Sequence, residues 1–324
     1  MSEAAVLFII FNRPISTKKV FDAIRLSQPS RLYIAADAPR AGNEKDVPNS
    51  RAARKITEKI DWPCEVKRLY QTSNLGCSKG PIAAFNWFFS FENEGIILED
   101  DCLPSKSFFP FCTQMLETFR YNTEIMLISG CNLGYNLKSE YSYTFSKIPN
   151  MWGWATWKRS AEMIDYELTE WVTVKHKLYY LYTKFRQSYL DADLNWYRYW
   201  RDKFDKTVNE PAISWWDWQW IYFQTKDNKF SIIPSKNLIT NIGFNSSATH
   251  TKEPDNPAAN LANYEMEFPI KHPKKIKGDN LYEEQILKWN LFYHKRLPWH
   301  FHVRHTIKKA LMSLMSKKPD NIPK

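Results

Sequence analysis

Gly95-Ile96-Ile97-Leu98-Glu99-Asp100-Asp101-Cys102 is an apolar run that stops in three acidic residues. A short run of Ile and Leu behind a Gly is typical of a buried central strand. The acidic residues then follow its carboxyl end, where open α/β sheets keep their ligand crevice. Crowded carboxylates raise each other's pKa unless a cation compensates them, and their hard oxygens suit Mg²⁺ or Mn²⁺. The stretch therefore predicts a metal site, and a solvated acidic turn is the alternative that it leaves open.

Two strands upstream of this run also end in charged residues. Residues 6–11 are apolar and are followed by Asn12-Arg13-Pro14, and residues 31–36 are followed by Asp37. A helix is predicted between them, so that strand, helix and strand form the start of a parallel α/β sheet. Arg13 is then a candidate for contact with an anionic ligand, or else an ordinary surface arginine at a turn.

The region just before the acidic run adds another strand and a loop that leads into a helix. Residues 64–69 are the predicted strand and residues 73–81 the loop. Pro81 suits a first helical turn. Free N–H groups at that helix terminus, with Lys79 beside them, are a candidate phosphate site. The loop is not a Walker loop, because the Gly-x4-Gly-Lys-Ser/Thr spacing is missing.

Aromatic residues are concentrated downstream of the acidic run. A helix is predicted near residues 108–121, a strand over 125–129 and a loop or hairpin over 130–150. Residues 151–159 then pack three Trp around a Gly, and a helical stretch rich in Tyr and Trp follows to residue 201. These rings predict either a helical subdomain held together by large side chains or contacts between individual rings and sugars.

A single carboxylate stands among four tryptophans in Trp215-Trp216-Asp217-Trp218-Gln219-Trp220. One interpretation of Asp217 is a helix cap or an ion-paired group that its neighbours tolerate. The other is a carboxylate in a partly desolvated pocket, where its basicity rises. A carboxylate of the second kind suits general-base catalysis.

The last third of the chain contains a polar loop and a basic tail. Residues 241–250 combine a Gly turn and small hydroxyl side chains with His250, which are the parts of a phosphate clamp or a metal site. Pro, Asn and Lys become frequent afterwards, so the compact domain is predicted to end near residue 255, with residues 256–324 as a basic C-terminal extension. Apolar residues at helical spacing over 303–314 indicate a basic amphipathic helix, either bound to an anionic membrane surface or docked on the domain.

The composition narrows the choice of partners and location. The 324 residues carry 45 Lys and Arg against 35 Asp and Glu, a formal charge of +10 that suits phosphate-bearing partners. No arginine-rich or RNP-like pattern predicts nucleic acid binding. The 5 cysteines are scattered without CxxC pairs, so neither disulfides nor a zinc site is predicted. Without a signal peptide pattern or a run of about 20 apolar residues, we expect a cytoplasmic protein, peripheral on the inner face of the plasma membrane.

The order of these motifs resembles the GT-A class of nucleotide-sugar-dependent glycosyltransferases. The set consists of strand-Asn-Arg-Pro, strand-Asp37, the Asn-Leu-Gly loop, Glu99-Asp100-Asp101 and the late Trp-Asp-Trp. More narrowly, it resembles N-acetylglucosaminyltransferase I-like enzymes and their bacterial relatives, whose Asp-x-Asp element appears as Glu-Asp-Asp. The resemblance spans roughly residues 4–250. It implies a Rossmann-like, mostly parallel central sheet flanked by helices, in which residues 1–130 bind the nucleotide sugar and residues 131–255 the acceptor.

The resemblance also implies donor-binding residues. Asp101 would bind Mn²⁺ or Mg²⁺ at the diphosphate, while Glu99 and Asp100 would hold ribose and sugar hydroxyls. Asp37 would match the acid that reads the uracil of a UDP-sugar, and Arg13 the basic residue near the nucleotide.

The same resemblance implies an inverting transfer of a hexosyl or N-acetylhexosaminyl group to a glycan or lipid-linked acceptor. Asp217 would match the general base, and His250 a late metal or phosphate ligand. Residues 160–210 have no counterpart in the pattern, so the acceptor itself stays open.

Two other classes of function remain as alternatives. A sugar nucleotidyltransferase on a similar sheet would carry a Gly-rich loop after its first strand, and Phe11-Asn12-Arg13-Pro14 lacks those glycines. A non-catalytic module that binds glycans or membranes would not need separate acidic sites at residues 99–101 and 217.

Overall fold

The structure is a computed structural model that describes residues 4–185, 194–210, 215–244 and 258–293. Within these ranges the strands are β1 (Ala5–Ile10), β2 (Arg31–Ala36), β3 (Glu65–Tyr70), β4 (Glu94–Glu99), β5 (Cys102–Pro104), β6 (Ile125–Ser129), β7 (Tyr143–Ser146), β8 (Trp154–Trp157), β9 (Phe230–Pro234) and β10 (Ile239–Asn241). The helices are α1 (Pro14–Ser27), α2 (Asp46–Ile56), α3 (Gly76–Phe89), α4 (Phe108–Phe119), α5 (Lys158–Ala161), α6 (Thr169–Thr173), α7 (Lys177–Phe185), α8 (Leu194–Asn209), α9 (Asp217–Lys226) and α10 (Asn280–Tyr293).

Eight of the strands form one sheet in the order β3-β2-β1-β4-β8-β6-β9-β7. The first four strands of this order are mutually parallel, and so are β6 and β9. β8 and β7 run antiparallel to their neighbours, and β10 pairs with β5 in a separate antiparallel ribbon. The predicted α/β architecture is confirmed at this level: a mostly parallel central sheet is flanked by helices and is compatible with a Rossmann-like fold.

The position of β1 and β4 explains where a ligand crevice forms. From β1 the chain adds β2 and β3 on one side and then returns to place β4 on the other side. Such a reversal leaves a crevice outside the carboxyl ends of the two central strands. The register runs from Ala5 opposite Gly95 to Ile9 opposite Glu99, so both strands end at the same edge.

The apolar character of β1 and β4 follows from burial on both faces of the sheet. Val6 of β1 and Ile96 of β4 belong to the main hydrophobic core on one face, and Leu7 and Ile97, which alternate to the other face, are also fully buried. Gly95 allows α3 to approach β4 closely, because a Cβ atom there would lie 2.3 Å from the ring of Phe88. Central strands covered on both faces read as continuous apolar runs, which is why they were predictable.

The tryptophan-rich region differs in part from the sequence prediction. Trp154 and Trp157 lie on β8, a strand buried between β4 and β6, and both side chains are fully buried. The Trp157 indole N–H donates to the carbonyl of Leu116. These two rings are therefore core, as the structural interpretation of the aromatic residues requires. The helical stretch predicted after them is present as α5 to α8 within the described residues.

The compact unit runs from Met1 to Ile286, so it extends beyond the boundary predicted near residue 255. Met266 and Ile270 are buried in the main core, and Tyr282 of α10 is buried as well. A second unit comprises residues 287–324, and the basic helix predicted over 303–314 lies outside the described residues. In the part of the chain that the structure describes, no helix combines the length and the apolar composition needed to cross a membrane.

Candidate active site

A cavity of about 240 Å³ opens at the carboxyl ends of β1, β2 and β4. Its walls combine aliphatic backbone segments from the strand ends with polar side chains. The polar lining includes Arg13, Asp37, Arg40, Asn74, Glu99 and Asp100. Four of the side chains that the sequence assigned to donor binding therefore lie around one cavity, because parallel strands deliver their carboxyl ends to a common edge.

The acidic triplet is held by contacts with the end of β1. Arg13 Nη1 lies 2.6 Å from Asp101 Oδ2 and 3.4 Å from Asp100 Oδ1. The backbone N–H of Phe11 donates to Asp100 Oδ2 at 3.1 Å. Arg13 thus pairs with the protein's own carboxylates, and its contact with an anionic ligand stays a prediction.

Negative charge in the cavity exceeds what Arg13 compensates. Burial is the main cause that raises the pKa of Glu99 to about 8, the charges of Asp101, Asp100 and Asp217 contribute to this rise, and Arg13 opposes it. Burial also raises the pKa of Asp100 to about 6, with Asp101 adding to the rise and Arg13 opposing it. Clusters of carboxylates with too few cations behave in this way. The site therefore favours an additional positive charge.

Aromatic side chains hold Asp217 where its charge acts on Glu99, although Asp217 is not among the residues that line the cavity. It is the first residue of α9, and its side chain is half-buried. The Trp216 ring centroid lies 4.8 Å from that of Phe85 on α3 and 5.7 Å from that of Trp154 on β8. The Ser78 hydroxyl donates to the Trp215 carbonyl at 2.8 Å, which attaches the same segment to the first turn of α3.

The charge of Asp217 is one of the causes that raise the pKa of Glu99. The two acidic motifs, which stand far apart in sequence, consequently share one electrostatic environment. The sequence could not predict this, because the distance between them depends on how α9 packs against α3 and β8.

Asp37 lines the cavity, but its carboxylate is already engaged by the backbone. Oδ1 accepts hydrogen bonds from the N–H groups of Ala38 and Leu75, and Oδ2 accepts from Leu75, Gly76 and the Asn74 side chain. Gly76 has a φ of +83°, a conformation that glycine adopts without strain and that turns its N–H towards Asp37. Asp37 therefore holds the N-terminus of α3 in this structure.

The phosphate site predicted at the start of α3 requires a correction. The N–H groups of Leu75 and Gly76 are not free for an anion, because they donate to Asp37. Lys79 is exposed on α3 and is not among the residues that line the cavity. The sequence indicated a helix start with N–H donors and a lysine, but it did not show that a carboxylate from the end of β2 occupies those donors.

A divalent cation, which the sequence predicts at the acidic triplet, needs several oxygen or nitrogen donors close together. His250 lies outside the described residues, and within the described ranges no group of three His, Cys, Asp or Glu side chains is arranged to hold a metal ion. Mg²⁺ commonly takes only one or two carboxylates from the protein and completes its shell with water and substrate phosphates. The hard oxygens of the acidic triplet and the raised pKa of Glu99 fit a cation held in that manner.

Of three further residues near the cavity, sequence reasoning placed Gly243 in the candidate 241–250 loop but missed Arg40 and Asp46. Gly243 lies beside the acidic triplet, since a Cβ atom there would be 2.2 Å from Asp101 Oδ2. Arg40 lines the cavity, and the buried carboxylate of Asp46 accepts hydrogen bonds from its side chain. The position of Arg40 shortly after a predicted strand end could have marked it as a candidate for this edge of the sheet. Nothing in the sequence distinguishes Asp46 from the other acidic residues.

These features define an α/β protein whose mostly parallel sheet is compatible with a Rossmann-like fold, with an acidic cavity at the point where its strand order reverses. No protein-family model matches the chain, and a search of curated proteins finds no significantly similar sequence.

Proposed function

We propose that the protein is a metal-dependent, inverting glycosyltransferase of the GT-A type. In this proposal it transfers a sugar from a nucleoside diphosphate sugar, with a UDP-sugar favoured, to a glycan or lipid-linked acceptor. The observation that carries the proposal is the acidic cavity at the carboxyl ends of β1, β2 and β4, together with the charge of Asp217 at the start of α9, which acts on Glu99. An inverting transfer needs negative groups at two places, one near the leaving diphosphate and one near the incoming hydroxyl.

On the donor side, Asp101 would hold Mn²⁺ or Mg²⁺. The cation, when bound, supplies positive charge that stabilises the departing diphosphate. Glu99 and Asp100 would accept hydrogen bonds from hydroxyl groups of the ribose and the sugar. Arg13 already keeps Asp100 and Asp101 in place through its Nη1 atom, and its remaining donors would serve the nucleotide.

On the acceptor side, Asp217 would accept the proton of the attacking hydroxyl group. The oxygen then forms a bond to the anomeric carbon while the bond between that carbon and the diphosphate oxygen breaks, which inverts the configuration. Asp217 is half-buried beside Trp216, and a general base has to lie within hydrogen-bonding reach of the hydroxyl group whose proton it takes.

The location proposed for this activity is the cytoplasm, at the inner face of the plasma membrane. The formal charge of +10 would favour an anionic surface and a lipid-linked acceptor.

A panel of nucleoside diphosphate sugars, incubated with and without Mn²⁺, tests the proposal through release of the nucleotide. We expect hydrolysis or transfer with at least one member only when the cation is present. Asp217→Asn should keep donor binding in calorimetry and lose about 10²–10⁴-fold in turnover, the usual contribution of a general base. Asp227→Asn, at the other end of α9, is the matched control and should retain activity.

Three results would contradict the proposal: no turnover of any sugar nucleotide, near-normal turnover by Asp217→Asn, or nucleotide binding by Asp101→Ala that keeps its dependence on Mn²⁺. Formation of a sugar nucleotide from a sugar phosphate and a nucleoside triphosphate would instead favour a nucleotidyltransferase.

A further inference from the structure

Recognition of the donor base needs hydrogen-bonding groups that the protein itself has not already used. Asp37 accepts from three backbone N–H groups and one side-chain amide, so both of its carboxylate oxygens are engaged. A base that displaced these contacts would leave the N-terminus of α3 without its acceptor, at the cost of unpaired N–H groups. Another side chain in the cavity is therefore better suited to read the base.

Arg40 is such a side chain, and it is held in a defined orientation. Its Nε donates to Asp46 Oδ2 at 2.6 Å and its Nη2 to Asp46 Oδ1 at 2.9 Å. Within the described residues, Nη1 has no hydrogen-bond partner. The guanidinium carbon lies 5.6 Å from the centroid of the Phe11 ring, which also lines the cavity. A planar guanidinium fixed on two of its nitrogens presents the third in a predictable direction.

Asp46 forms hydrogen bonds to both the segment that follows β1 and the segment that follows β2. The residue is 1% exposed, although Arg40 is exposed to solvent. Besides the Arg40 side chain, it accepts the N–H of Arg40 at 3.1 Å and the Asn12 side-chain amide at 2.7 Å. Asn12 directly follows β1 and precedes Arg13. Asp46 consequently sets the orientation of Arg40 relative to the end of β1.

We propose that Arg40 recognises the base of the donor nucleotide, with Nη1 donating to a carbonyl oxygen of the base and Asp46 acting as a positioning residue. This inference rests on the proposed function. Arg40 and Asp46 form an almost neutral pair, so the pair attracts a phosphate less than an unpaired arginine does. A neutral carbonyl oxygen still gains a well-aligned hydrogen bond. The Arg13 end of the cavity then serves the diphosphate, and the Arg40 end serves the nucleoside.

Calorimetric titration in the presence of Mn²⁺ tests this assignment with UDP, ADP and inorganic diphosphate as probes. Adenine carries no carbonyl oxygen, and diphosphate carries no base. Arg40→Lys keeps the charge but removes the planar third nitrogen, so it should weaken UDP binding about tenfold and leave diphosphate binding unchanged. ADP should bind the wild-type protein more weakly than UDP does, and its affinity should change little in Arg40→Lys. Arg25→Lys is the matched control, because Arg25 has the same 53% side-chain exposure and also pairs with an aspartate, Asp61.

The positioning role of Asp46 is tested with Asp46→Asn, which should weaken UDP binding in the same direction while diphosphate binding persists. If that variant does not fold, Arg40→Lys and Arg40→Ala decide the proposal by themselves. Unchanged UDP affinity in Arg40→Lys overturns the assignment. An equal loss of affinity for UDP and for diphosphate also overturns it, because that result would place Arg40 at the phosphates. Absence of any nucleotide binding by the wild-type protein would instead count against the proposed function.

Discussion

At the scale of single residues, the acidic triplet depends on very short-range contacts. Arg13 Nη1 lies 2.6 Å from Asp101 Oδ2, and a Cβ atom at Gly243 would lie 2.2 Å from the same oxygen. The carboxylate of Asp101 is thus confined between a guanidinium and a backbone segment. Adding a single methyl group at Gly243 should therefore displace the Asp101 carboxylate and alter the geometry of Glu99–Asp101.

Gly243→Ala is therefore expected to destabilise the protein and to disturb the site. Because backbone on one side and an ion pair on the other resist movement, we expect a loss of about 1–3 kcal/mol in the free energy of unfolding. Mn²⁺-dependent UDP binding should weaken as Asp101 shifts. Urea unfolding and calorimetry measure the two effects.

Gly80→Ala is the control for this prediction, since Gly80 also faces a carboxylate of the cavity. A Cβ atom there would lie 3.5 Å from Asp37 Oδ2, an ordinary contact. Gly80 is inside α3, where alanine is favoured over glycine by about 1 kcal/mol, so this variant should be neutral to more stable. Equal stability changes for the two variants would show that the contact with Asp101 is not restrictive.

At the scale of secondary structure elements, α3 illustrates how a tertiary contact determines where a helix begins. The sequence indicated Pro81 in the first turn, whereas the helix begins at Gly76. The earlier start is supported by Asp37 from the end of β2, which accepts the N–H groups of Leu75 and Gly76. A negative charge at a helix N-terminus is stabilising through both hydrogen bonding and the helix dipole.

Asp37→Asn should consequently destabilise the protein by about 2 kcal/mol, because the neutral amide accepts at only one of its two terminal atoms. Urea unfolding measures the change. Asp22→Asn is the control, since Asp22 forms an exposed pair with Lys18 on α1 and should change stability by less than about 0.5 kcal/mol. Similar losses in the two variants would mean that Asp37 contributes little to the start of α3.

At the scale of the whole molecule, residues 258–286 complete the compact unit by packing on the β7 edge of the sheet. The Glu283 carboxylate accepts from the Lys147 N–H at 2.7 Å and from the Ser146 hydroxyl at 3.2 Å. Burial raises the pKa of Glu283 to about 7, against the opposing effects of these hydrogen bonds and of the Lys147 charge. Attachment of this segment should therefore depend on pH.

The direction of that dependence follows from proton binding in the two states. Unfolded glutamate has a pKa of about 4.3, so between this value and about 7 the folded protein binds more protons at Glu283 than the unfolded chain does. The free energy of unfolding should fall as the pH rises through this range, by an amount on the order of 3 kcal/mol from this group. Glu283→Gln should remove this pH-dependent component, because an amide does not titrate. Its carbonyl oxygen can still accept the Lys147 N–H, so the segment should stay attached.

Unfolding of the wild type and Glu283→Gln between pH 4.5 and 8 measures the difference. Glu65→Gln is the control, since Glu65 is exposed and paired with Lys67 on β3. Parallel pH profiles for the wild type and Glu283→Gln would contradict the buried titration of Glu283.

The parts of the fold that were predictable are those with strong local patterns. β1, β2 and β6 have continuous apolar runs, and their predicted positions agree closely with the structure. β8 was not predicted as a strand, because large aromatic residues such as Trp154 and Trp157 occur in helices as well as in strands. Its strand conformation depends on pairing with β4 and β6, which no local pattern shows. Residues 258–286 were predicted to be a polar extension for a similar reason. Their few apolar side chains are buried only by contacts with distant parts of the chain, which the local sequence does not show.

The amino-acid sequence by itself determined the apolar strands, the charged residues at their carboxyl ends and hence the edge of the sheet where Arg13, Asp37 and Glu99–Asp101 meet. Those features depend on local periodicity and on the geometry of parallel strands. Only the tertiary structure decided that Asp37 holds the start of α3, that Arg40 is oriented by Asp46, and that Asp217 shares the electrostatic environment of Glu99. These outcomes depend on distances between segments remote in sequence or on side-chain directions at the cavity, which no local pattern encodes.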